Sequence, residues 1–83
     1  MKQYYFYLAT CRISEKERVT CEIRVAFKIT TFAQIEKILE TIKNTLSGKN
    51  RDKANVSFVH PPYYLRKENL PEGKDVEITN LIF

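Results

Sequence analysis

Arg18-Val19-Thr20-Cys21-Glu22-Ile23-Arg24-Val25-Ala26-Phe27-Lys28-Ile29 alternates without a break. Val19, Cys21, Ile23, Val25, Phe27 and Ile29 share one parity; Arg18, Thr20, Glu22, Arg24, Ala26 and Lys28 take the other. A period of two makes a strand with one buried face and one face that meets water. Upstream, residues 3–13 (Gln-Tyr-Tyr-Phe-Tyr-Leu-Ala-Thr-Cys-Arg-Ile) read as a first strand, and Ser14-Glu15-Lys16-Glu17 is a loop of hairpin length. Downstream, Thr31-Phe-Ala-Gln34 fits a capping box that opens a helix. Phe32, Ile35, Ile38, Leu39, Ile42 and Leu46 recur at spacings of three and four, forming one apolar stripe, and Gly48 supplies the stop.

Beyond the helix, Gly-Lys-Asn-Arg-Asp-Lys is a basic loop, and Asn55 to His60 is a short third strand that Pro61-Pro62 ends. Residues 61–74 read as irregular, and Asp75 to Phe83 as a fourth strand. The expected fold is α+β: a single ββαββ domain over residues 1–83, its sheet mostly antiparallel with the order 2-1-3-4, one helix on one face. Tyr4 to Ala9, apolar on both faces, suits a central strand; the second strand, charged on one face, suits an edge. The helix should cover Tyr5, Tyr7, Ala9, Cys11 and the odd residues of the second strand.

With 83 residues there is room for one core, burying about 60–65% of the unfolded surface. The opening residues lack a secretory h-region and no run is long enough to span a membrane, so a cytoplasmic protein is expected. Residues 43–67 hold Lys43, Lys49, Arg51, Lys53, Arg66 and Lys67 against Asp52 alone, more than the whole net charge of +4. Such a region either attracts phosphate or an acidic surface, or is a solvated loop. Cys11 and Cys21 are too few for a disulfide scaffold or a four-cysteine metal site. If the register sets them opposite each other a bridge is open to them; without a secretion signal, buried thiols are expected.

Nothing in the chain forms a catalytic constellation. His60 is the only histidine, a CxxC spacing is absent, and Gly48 and Gly73 are the only glycines, so no phosphate-cradling loop exists. No enzyme, cofactor, metal or small-molecule substrate is expected. Pro61-Pro62-Tyr63-Tyr64 matches the pattern read by WW-type domains, although the prolines serve more simply to end a strand. The anomaly lies in the first strand. Tyr4, Phe6 and Leu8 point away from the helix, and Leu81 and Phe83 could extend them into one patch. Either Tyr63, Tyr64 and Leu65 fold back over this face, or it is an interface for a protein partner or for a second copy in a homodimer. Alternatively, Tyr4 and Phe6 stack nucleic-acid bases while Lys49, Arg51 and Lys53 contact phosphate.

In its length, its aromatic first strand beginning at Tyr4 and its ββαββ order, the chain resembles the small accessory proteins of phages and mobile elements. That class includes anti-CRISPR inhibitors of bacterial defence. The resemblance implies a stoichiometric, non-enzymatic role in which surface blocks a host protein complex, and it assigns no residue.

Overall fold

Two hairpin strands form the centre of the sheet: β1, Lys2–Arg12, and β2, Arg18–Val25. They pair antiparallel, with Tyr5 opposite Val25, Ala9 opposite Cys21 and Arg12 opposite Arg18. The turn closes because Ser14 Oγ accepts from the Glu17 N–H at 3.1 Å and Ile13 N–H donates to Glu17 O at 3.0 Å. The computed structural model describes residues 1–46 and 56–82. The chain continues through α1, Phe32–Leu46, then β3, Ser57–Phe58, β4, Tyr63–Leu70, and β5, Val76–Ile82. All five strands pair antiparallel, giving a small α+β fold in the expected class.

Among the described residues the sheet has five strands rather than four, and its order differs from 2-1-3-4. It runs β3-β1-β2-β5, with β4 also paired to β1. β3 and β4 lie end to end along one side of β1, with Cys11 opposite Phe58 and Leu8 opposite Tyr63. They amount to one strand interrupted at Pro61-Pro62, where no N–H is available to a ladder. The last strand pairs with β2, not with the third, so β2 is internal rather than an edge. Its charged face is polar because it meets water, and alternation reports faces, not neighbours. Residues 71–75 carry the chain across the end of the sheet from β4 to β5. Ion pairs from Lys2 to Glu72 and Asp75, at 3.9 and 3.7 Å, and an Ala26 N–H to Asp75 O bond of 2.9 Å hold that crossing.

The capping box forms as expected. Thr31 Oγ1 accepts from the Gln34 N–H at 3.3 Å, and Gln34 Oε1 accepts from Thr31 N–H at 3.0 Å and Thr30 N–H at 2.7 Å. Ile38, Ile42 and Leu46 are buried against Tyr7, Ala9, Cys11, Val19, Cys21, Ile23, Val25, Val56 and Val76. Each fully buried aliphatic side chain contributes about 1.5–3 kcal/mol. Phe32 departs from the stripe: it opens α1 and is 75% exposed. β2 ends at Val25 rather than Ile29, though Phe27 and Ile29 still pack on the core. Tyr7 Oη accepts from the Ile29 N–H at 3.0 Å, which pins this connection.

Cys11 and Cys21 are both buried free thiols in the core, and they are diagonal, not opposite: Cys11 faces Val19 and Cys21 faces Ala9. A hydrogen bond to Cys21, and then burial, push the Cys11 thiol well above its ordinary range. Gly48, Phe83 and the basic loop lie outside the described residues.

Candidate functional site

The face of the sheet turned away from α1 carries Tyr4, Phe6, Leu8, Thr10 and Arg12 from β1, by alternation against the core residues between them. The open apolar patch expected of Tyr4 and Phe6 is absent. Tyr4 is 0% exposed and Phe6 is buried. Each ring is capped by a guanidinium brought from another strand. Arg24 Cζ sits 4.7 Å from the Tyr4 centroid and Arg66 Cζ 4.3 Å from that of Phe6. Both arginines are then paired. Arg24 bonds Glu77, while Arg66 bonds Glu22 at 3.1 Å and Glu68 at 3.2 Å. Thr79 Oγ1 donates to Glu22 Oε2 at 3.0 Å, so the network reaches β5.

The crossing chain completes the cover. Gly73 N–H donates to Tyr4 Oη at 2.6 Å, and a Cβ at Gly73 would lie 2.7 Å from Arg24 Nη2, so glycine suits this close approach. The covering side chains are therefore Arg24 and Arg66 rather than Tyr63, Tyr64 and Leu65. Tyr63 and Tyr64 point to opposite faces of β4. Tyr64 turns to the helix side and meets Tyr7 edge-on at 5.5 Å. Because their faces are capped, Tyr4 and Phe6 offer no stacking surface for bases.

Leu81 also changes sides. Val76 and Ile78 face the core, and simple alternation would send Leu81 outward. The register shifts at Thr79, so Leu81 stands opposite Cys21 and packs on the core. Ile82, opposite Thr20, comes out onto the open face instead. Phe83 lies outside the described residues.

Of the candidate basic patch, the described members Lys43, Arg66 and Lys67 lie on different elements or faces. Arg66 is committed to Phe6, Glu22 and Glu68, and Lys67 points to the opposite face of β4, level with Tyr5. Lys43 sits in the last turn of α1, where its charge complements the helix dipole. Lys49, Arg51 and Lys53 lie outside the described residues. His60 is exposed, its Nδ1 3.0 Å from Pro61 O, a strand-end position.

What remains open is the other half of the face. Leu8 lies between Tyr63 on β4 and Glu22 on β2; Thr10 and Thr20 stand opposite each other with their hydroxyls 3.3 Å apart. Tyr63 is 67% exposed, Ile82 51% and Val59 37%. Val59, just past β3, with Tyr63, Leu8, Thr10, Thr20 and Ile82 makes an uncharged strip across β4, β1, β2 and β5, bordered by Glu22. Beyond it stand Arg12 and Arg18, directly opposite and exposed. Sequence reading missed Val59, Tyr63 and Ile82 because two lie in a segment read as a strand end and loop, and the third is reversed by a bulge. Comparison with known protein families, curated proteins and solved structures finds no match to this chain. Among the described residues no helix is long and apolar enough to cross a membrane, and no cluster of three metal-ligating side chains occurs.

Proposed function

We propose that the chain is a non-enzymatic protein-binding module that acts in the cytoplasm by covering a surface of its partner. This is the role implied by its resemblance to phage and mobile-element inhibitors of host complexes. One observation carries the reading: Val59, Tyr63 and Ile82 are exposed apolar or aromatic side chains on the sheet face turned away from α1, around half-buried Leu8. Exposed apolar side chains gathered on one face of a folded protein mark contact sites. Tyrosine in particular supplies large contact area at low entropic cost.

The test is capture from the lysate of the cell that carries the chain, with and without nuclease, for wild type and for a Leu8→Ser/Tyr63→Ala variant. A nuclease-resistant protein held by wild type and lost by the variant, with circular dichroism unchanged, is the expected result. Equal capture by both proteins would sink the reading, and nuclease-sensitive capture would replace it with nucleic-acid binding.

A further inference from the structure

Arg12 and Arg18 break the pattern that governs the rest of this face. Arg24 and Arg66, on the same side of the same sheet, each cap a ring and each hold glutamate. Arg12 and Arg18 are direct cross-strand neighbours, both exposed, and among the described residues neither has a carboxylate within ion-pair distance. Like charges directly opposite in an antiparallel pair are destabilising. The hairpin loop does not relieve them. Arg12 lines an open groove with Ser14, Glu15, Lys16 and Glu17, yet Glu15 and Glu17 stay beyond ion-pair range of both guanidiniums. Three cations against two carboxylates leave this end locally positive.

Two exposed arginines on facing strand positions can each take a carboxylate through the planar guanidinium. They border an uncharged strip, so the ligand must offer charge on one side and apolar groups on the other. We infer that the partner is an acidic protein segment whose carboxylates meet Arg12 and Arg18 while its apolar side chains cover Leu8, Thr10, Thr20 and Ile82. This rests on the protein-binding reading above and deepens it by naming the partner's chemistry. A nucleic acid fits less well, because Tyr63 is the only exposed ring on the described part of this face and offers a single stacking platform.

Three fluorescent probes test the assignment by anisotropy: a synthetic peptide with a Val-Leu-Phe core followed by paired glutamates, its glutamine counterpart, and an oligouridine of similar length. The glutamate peptide is expected to bind about tenfold more tightly than the glutamine one, as for a charge-assisted double contact. That preference should shrink as salt rises, and Arg12→Gln/Arg18→Gln should erase it. Should that double variant lose its circular dichroism, Arg18→Gln alone is expected to reduce the preference by part. Equal binding of the two peptides, no binding of either, or tighter binding of oligouridine overturns the inference. Lysate capture that depends on Leu8 and Tyr63 but survives Arg12→Gln/Arg18→Gln would leave the binding-module reading standing and remove this one.

Discussion

The two halves of the open sheet face use similar parts to opposite ends. Near the start of β1, aromatic rings and arginines are assembled so that each cation covers a ring and each has a glutamate. Near the hairpin, an exposed ring and two arginines stand apart, and the carboxylates beside them stay out of reach. The first half is closed by its own ion pairs; in the second, among the described residues, Arg12 and Arg18 make no ion pair and Tyr63 is exposed. Aromatic content alone does not distinguish a core from an interface.

The largest expected effect tests the closed half. Tyr4→Ala removes a fully buried ring and a hydrogen-bond acceptor, and should cost about 3–5 kcal/mol in urea unfolding. Tyr63→Ala, at the open half, should change stability by under about 0.5 kcal/mol. Equal costs would erase the contrast. Arg66→Ala comes next: it uncovers Phe6 and frees Glu22 and Glu68, so the melting temperature should fall and binding of a hydrophobic dye should rise. An unchanged dye signal would mean that the guanidinium is not the lid over Phe6. The smallest effect has the opposite sign. Arg18→Thr relieves the like-charge pair with Arg12 and should stabilise the fold by about 0.2–0.5 kcal/mol at low salt, vanishing at high salt. Destabilisation there would show that Arg18 already has a structural role.

Faces were legible from residue type; neighbours were not. Alternation in β2 and the stripe of Ile38, Ile42 and Leu46 identify what is buried, and the Thr31–Gln34 box places the helix start. The same patterns say nothing about which strand lies beside which, and so β2 read as an edge. β4 escaped notice because Arg66-Lys67-Glu68-Asn69 is polar on both faces, as befits a strand paired on one side and wet on the other. The bulge at Thr79 exchanged Leu81 for Ile82, a one-residue shift that reverses every later side chain. The site moved for a related reason. Tyr4 and Phe6 read as unprotected because their covers, Arg24, Arg66 and Gly73, arrive from β2, β4 and the crossing chain, which only the folded topology brings near.

Pro61-Pro62 has one more consequence, for how molecules of this protein treat each other when crowded. A sheet edge with a continuous row of free N–H and C=O groups recruits further strands and seeds aggregates. Along β1 the outer row is broken between Phe58 and Tyr63 by two residues that cannot donate, and charged Arg66, Lys67 and Glu68 follow. On the other side, the ladder of β5 to β2 is interrupted at Thr79, a bulge that bends this border. Both borders are thereby blunted against open-ended growth, and the protein can keep an apolar sheet face available without the sheet itself becoming a template.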